Sequence, residues 1–390
     1  MKKQRPVYAS CLSLGMIAVL LFGCAGAPTP PNCAEPDVFC IGLVTLDGKI
    51  DDKALNQLAW KAVEQAERKL NAYVNYIETV DSRDYEKNIT TFAIAGYDLI
   101  ISVGYAQRKA TIDAAAKYPG INFIGVDQPL EPDKSLPKNL TGLSFPEDQA
   151  GFLAGALAAQ MTRTGKIGAV CGPDTFPPAW RYCEGFKAGA NYITSPPATP
   201  PGETPTEGAP VEETPTTPVE PGQEEAPATE APVTPIPPVE VTVIYHNELG
   251  FSDSLADPKW DAETADTLIN IGVDIVFGAD SYGENGAVSA AAKRSIYAIG
   301  VGTDQYLTLP DAQDVLLSSA IKQVTPGLLD LIKAARDGIL PPGNFIGSVG
   351  YAPYHRLDGL MSAVVKARMA EIQAGLANGS IETGVPPVKP

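Results

Sequence analysis

Short apolar runs alternate with amphipathic stretches along most of this chain. The apolar runs predict strands at 40–46, 72–79, 98–104, 121–127, 140–145, 166–172, 239–246, 273–279, 296–302 and 315–321. Most are rich in Val and Ile and lack a polar alternate, as strands covered on both faces should be. Between them, apolar residues recur at helical spacing. In 54–70 the series is Leu55, Leu58, Ala59, Ala62, Ala66 and Leu70. Similar stretches predict helices near 84–95, 106–118, 147–163, 179–192, 257–271, 284–294, 323–338 and 357–376. Repeated strand–helix alternation implies parallel sheets with helices on both faces. The strands are too many for one comfortable sheet. The expected fold is therefore α/β, with two doubly wound parallel-sheet lobes and a ligand cleft between them. The lobes are expected at 39–142 plus about 279–310 (N-terminal) and at 143–278 plus about 311–380 (C-terminal).

Two segments break the alternation. The start, "MKKQRPVYASCLSLGMIAVLLFGC", has a basic end, an apolar run and small residues before Cys24. It reads as a signal peptide over 1–23, with an apolar run too short to span a membrane comfortably. Its ending "LFGC" resembles a bacterial lipobox, so Cys24 is the expected lipid attachment point and 24–38 a tether. The second segment, 194–238, is rich in Pro, Glu and Thr. From Pro196 to Pro238 it holds eight Glu and no Lys or Arg, so about half of the net charge of −17 is local to it. With almost no large apolar side chain it cannot offset its ordering entropy, and it reads as a disordered insert within the C-terminal lobe.

Charge and cysteines narrow the function. An acidic chain argues against a nucleic-acid partner. Of six Cys, Cys11 leaves with the signal and Cys24 would carry lipid. Cys33, Cys40, Cys171 and Cys183 remain, an even number for an oxidising compartment. Of three pairings, Cys33–Cys40 and Cys171–Cys183 close the shortest loops; the alternative is four free thiols. No CxxC occurs and the histidines are His246 and His355 alone, so no metal is expected. The phosphate-binding GxxxxGK[ST] loop, HExxH and GxSxG are all missing. Gly278, Gly283 and Gly286 do not match the dinucleotide spacing. Neither an enzyme nor a cofactor is expected.

In open parallel sheets ligands bind beyond the carboxyl ends of the strands. There the chain carries "DGKIDDKALN", "GYAQRK", "DQP", "HNELGFSD", "GADSYGENG", "GTDQYL" and "SSAIKQ". These supply carboxylates, amides, hydroxyls and aromatic rings suited to a polar small molecule. Asp51, Asp52, Asn56, Tyr105, Asp127, Phe251, Ser281, Gly283, Asp304 and Lys322 are the candidate ligand residues. Each has a plainer role open to it: Asp51 or Asp52 can cap the helix, and Asp127 and Asp304 can form Asx turns. Lys322 is expected to open a helix, where a cation opposes the dipole and calls for a ligand or an acidic neighbour.

The ordered set of motifs resembles a known family. "GLVTLDGKIDDKALNQLAW", "YDLIISVGYA", "AAKYPGINFIGVD", "LTGLSFPEDQAGFLAGALAAQMTRTGKIGAV", "RYCEGFKAGA", "IYAIGVGTDQ" and "LLSSAIKQV" are similar, in order, to segments of the basic membrane protein family. These are substrate-binding lipoproteins of ABC transporters and include purine nucleoside receptors. The resemblance implies a type I periplasmic-binding-protein-like fold and an extracytoplasmic, membrane-anchored monomer that binds a nucleoside-like ligand and serves an ABC permease. It implies that Asp52 and Asn56 hold the ligand near a helix start and that Asp127 ends the fourth strand. It also implies that Phe251 covers a base, Asp304 grips ribose hydroxyls and Lys322 lies near the sugar. The chain departs from the pattern at Leu55, where the family carries Phe, which leaves Tyr105, Trp180 or Tyr282 to supply that ring. A ligand-sensing domain of the same fold that reports to a signalling partner and a nucleoside hydrolase are the alternative readings.

Overall fold

The computed structural model describes residues 32, 33, 35, 37–131, 135–195, 237–247, 257–279 and 285–390. The signal, Cys24, much of the tether and nearly all of the Pro/Glu/Thr-rich insert lie outside these residues. Among them the chain forms two six-stranded sheets. The first has the order β11-β5-β4-β3-β1-β2, all parallel. Its strands are β1 (Cys40–Val44), β2 (Tyr73–Ile77), β3 (Leu99–Val103), β4 (Asn122–Val126), β5 (Leu140–Ser144) and β11 (Gly343–Ile346). The second has the order β12-β10-β9-β8-β6-β7. It is built from β6 (Lys166–Cys171), β7 (Glu240–Tyr245), β8 (Ile275–Gly278), β9 (Tyr297–Gly302), β10 (Leu316–Lys322) and β12 (Val349–Tyr351). Only β12 runs antiparallel to its neighbour.

Helices cover both faces of each sheet. α1 (Leu55–Leu70) and α9 (Val324–Arg336) bury one face of the first sheet, with Ala59, Val63, Leu328 and Ile332 in one core against Ile41 and Leu43. α2 (Tyr85–Ile94) and α3 (Arg108–Lys117) cover the other. The second sheet lies between α4 (Glu147–Met161), α5 (Pro177–Thr194) and α10 (Ala363–Asn378) on one side, and α6 (Pro258–Asn270) and α7 (Gly286–Lys293) on the other. The short helix α8 (Gln305–Thr308) follows β9. α4 and α5 approach so closely that a Cβ on Gly155 would stand 1.9 Å from the Phe186 carbonyl oxygen, and one on Gly189 1.9 Å from that of Phe152. Disulfides join Cys33 to Cys40 and Cys171 to Cys183, the latter tying the end of β6 to α5.

The lobe boundaries differ from the sequence expectation. Residues 279–310 were assigned to the first lobe, but β9 pairs with β8 and β10 and belongs to the second. Conversely, α9 and β11 lie in the expected C-terminal span yet complete the first lobe, where Thr325 Oγ1 donates to Leu58 O at 2.7 Å. Apolar periodicity identifies a strand but carries nothing about which sheet edge it extends. The chain therefore crosses between lobes at 145–146, at 323 and at 347–348. These crossings touch: Gln323 N donates to Ser348 O at 2.9 Å and Gly347 N to Ser144 O at 2.8 Å.

Candidate functional site

The turn after β1 packs five charged residues into 47–53, and the structure gives Asp52 and the neighbouring Asn56 a local task. Asp52 Oδ1 accepts from the backbone N–H of Ala54 (2.8 Å) and Gln57 (3.0 Å), and its Oδ2 from that of Asn56 (3.1 Å). It satisfies amides at the start of α1 that have no intrahelical acceptor. Burial lifts its pKa, opposed by those three amide hydrogen bonds. Asn56 is buried; its Oδ1 accepts from Leu46 N at 2.9 Å, and its Nδ2 donates to the carbonyls of Leu46 (3.3 Å) and Lys49 (3.2 Å). The two residues expected to hold a ligand use these atoms to hold the turn and the helix end. Asp51 is exposed.

The amide nitrogens at the other strand ends behave likewise, although Gln107 Oε1 and Gln128 Oε1 are buried with no hydrogen-bond partner among the described residues. Gln107 Nε2 donates to the carbonyls of Val44, Thr45 and Val103 (3.3, 2.9 and 2.7 Å), and Gln128 Nε2 to Ser102 O and Gly104 O (3.3 and 3.0 Å). In the second lobe Asn285 Nδ2 donates to Gly278 O (2.9 Å) and to Gln305 Oε1 (3.1 Å). A side-chain amide can bridge several main-chain groups at once. These amides staple the strand-end loops together, where the sequence pattern suggested a ligand grip.

Asp127 and Lys322 are different. Asp127 follows β4 with φ 60°, a left-handed conformation that Asp tolerates better than most residues. Its side chain forms no Asx turn; Lys322 Nζ donates to Oδ1 at 2.7 Å. Lys322 ends β10 and does not open a helix, and its acidic neighbours explain its place. The same ammonium lies 3.0 Å from Glu147 Oε1, and the three side chains are 2%, 5% and 5% exposed for Asp127, Lys322 and Glu147. Arg181 extends the cluster. It meets Glu147 Oε2 at 2.9 Å, binds Asp148, and donates to the Phe145 carbonyl at 3.3 Å. Burial raises the Glu147 pKa against the pull of Lys322, and burial also raises that of Tyr182, which packs under the ammonium. Asp127 Oδ2, Tyr182 Oη and Arg181 Nε have no hydrogen-bond partner among the described residues. Glu147 and Arg181 were not expected from the sequence. A Glu at the start of a helix has a ready explanation in the dipole, so it carries no signal of this pairing.

Of the remaining candidates, Tyr105 follows β3 and Asp304 follows β9, each beyond the carboxyl end of its strand. Tyr105 makes an edge contact with Phe176 of the second lobe, centroids 5.4 Å apart, and Arg108 lies 4.8 Å over its ring. Asp304 Oδ2 meets His355 Nε2 at 2.7 Å, and Tyr306 stacks on that imidazole at 4.1 Å. Its Oδ1 is buried and without a partner among the described residues. Nothing in the sequence around His355 singled it out. Phe251, Ser281 and Gly283 lie outside the described residues.

Two α/β lobes joined by three crossings, with strand carboxyl ends toward the junction, define a two-lobed solute-binding fold. The chain is similar to a solved ABC-transporter solute-binding protein from Conexibacter woesei (TM-score 0.64, 18% identity), covering 90% of this chain and 99% of that one. It is similar in fold also to a structure from Bacillus halodurans titled a transcriptional activator of the comK gene (TM-score 0.63, 20% identity), covering 87% of this chain and 98% of that one. Among relatives, a CD4+ T-cell-stimulating antigen of Listeria monocytogenes is 24% identical over 419 residues, covering all of both chains. An ABC-transporter nucleoside-binding protein of Lactococcus lactis is 23% identical over 391 residues, covering 94% of this chain and 96% of that one. The model of the PnrA-like family of ABC-transporter substrate-binding proteins matches residues 41–196 and 247–347. The chain belongs to that family, whose members bind substrates for transport and are not enzymes.

Proposed function

We propose that this protein captures a nucleoside between its lobes and delivers it to a membrane permease, as a monomer held at the membrane through lipid on Cys24. The observation that carries the ligand reading is the buried Asp127 carboxylate at the lobe junction. One oxygen is taken by Lys322, and the other has no hydrogen-bond partner among the described residues. An unmatched buried acceptor calls for a donor, and a ligand hydroxyl or ring N–H supplies one. Asp304, with its own unmatched oxygen, supplies a second acceptor. Tyr105 supplies a ring, and Phe251, Ser281 and Gly283, named from the sequence, complete the proposed set. Asp52 and Asn56 are left out, because the main chain already uses their side-chain atoms. Asp127, Glu147 and Asp148 outnumber Lys322 and Arg181 in the junction. That excess disfavours phosphorylated nucleotides against the neutral nucleoside. The nucleoside-binding relative supports the same class.

A ligand bound by the native state alone raises the melting temperature once its concentration passes the Kd. Melting the mature chain against nucleosides, bases, nucleotides and sugars tests the reading. A shift with nucleosides that Asp304→Ala abolishes is the expected result. A shift with sugars alone, or with no nucleoside, overturns it.

A further inference from the structure

The buried ion network adjoins two of the chain crossings as well as the junction. Glu147 is the first residue of α4, directly after the crossing at 145–146, and Lys322 is the last residue before the crossing at 323. Arg181, on α5, binds Glu147 and the carbonyl of Phe145, which lies within the first crossing. Of the residues around the Lys322 ammonium, Glu147 belongs to the second lobe's helix layer and Asp127 to the end of β4 in the first lobe. The Asp127–Lys322 bond thus spans the lobes, while the Glu147–Lys322 bond fixes the ammonium relative to two of the three connecting strands.

We propose that Glu147 and Arg181 are positioning residues. They hold Lys322 and the first crossing in one arrangement, so that the Asp127–Lys322 bond forms at one lobe angle and ligand capture is coupled to hinge closure. The proposal rests on the reading that Asp127 and Lys322 belong to the ligand site. Two features of the structure favour coupling over simple bracing. First, the network is internally incomplete, with Asp127 Oδ2 and Arg181 Nε unmatched among the described residues, so a ligand at Asp127 changes the balance on Lys322. Second, Arg181 holds a main-chain carbonyl of the crossing together with the carboxylates of Glu147 and Asp148, which links side-chain charge to backbone geometry. A ligand shifts a lobe equilibrium only through differential interaction with its two states, and a shared ammonium provides that difference.

The experiment measures lobe separation in the mature full chain by energy transfer between dyes on Lys87→Cys in the first lobe and Lys259→Cys in the second. Both positions are exposed, at 74% and 85% of the side chain. Glu147→Gln should displace or broaden the ligand-free distance distribution, and Arg181→Lys should do so in the same direction by less. Inosine, the probe nucleoside, should bind Glu147→Gln about tenfold or more weakly, as when one member of a buried charged pair is removed. A bracing role would lower the melting temperature and leave the ligand-free distribution in place. An unchanged distribution in both variants overturns the proposal, whatever happens to affinity. If the unaltered chain binds no nucleoside, the functional reading fails by itself, and the ligand-free distributions still decide the hinge role.

Discussion

The turn after β1 and the lobe junction hold comparable densities of charge and amide, and they use them in opposite ways. At the turn, Asp52 and Asn56 spend both ends of their side chains on main-chain groups between Leu46 and Gln57. At the junction, Asp127, Glu147, Asp148, Lys322 and Arg181 bind one another across sequence distances of up to 195 residues, and two of them keep an unmatched atom. Both patterns look alike in the sequence, as polar residues following an apolar run. The difference teaches where a ligand can act: a saturated polar group builds local structure, while an unmatched buried one stores an unmet interaction.

Removing Lys322 should break the comparison most severely. Lys322→Ala leaves Asp127 and Glu147 buried without their shared cation, and a loss of about 3–5 kcal/mol in urea unfolding is expected, together with loss of nucleoside binding. Asp52→Ala should cost less, about 1–2 kcal/mol, since it removes a helix cap and leaves no buried charge behind. Its nucleoside affinity should stay at the wild-type value; a fall would return the turn to the ligand site. Asp51→Ala, at an exposed position, should change stability by no more than about 0.5 kcal/mol.

A pH series sharpens the comparison further. Burial lifts Glu147 above the ordinary glutamate value of 4.5, against Lys322 and Arg181 and with Asp127 adding to the rise. A carboxyl raised in the folded state contributes stability that is complete below its ordinary pKa and is lost as pH rises through its folded value. The melting temperature of the wild type relative to Glu147→Gln should therefore rise as pH falls from neutral toward 4.5, the ordinary value. A difference that stays flat across that window would show that Glu147 is not raised.

Much of the fold was legible because continuous apolar runs and helical spacing are local properties. All ten sequence-expected strands and all nine expected helices appear among the described residues, with ends moved by a few residues. β11 and β12 were missed because "GNFI" and "VGY" are too short and too mixed to show a period. The last helix starts at Ala363, later than expected, because His355–Leu360 form a tighter 3-10 turn. The sequence by itself determined the two-lobed α/β class and the strand ends on which a site would be built, since burial on both faces must be written into each strand. Only the tertiary structure decided which lobe received β9, α9 and β11, and which polar side chains were consumed by the backbone. It alone brought Glu147 and Arg181 to Lys322. Those outcomes depend on contacts between residues far apart in the chain, and side-chain spacing along one segment carries no record of them.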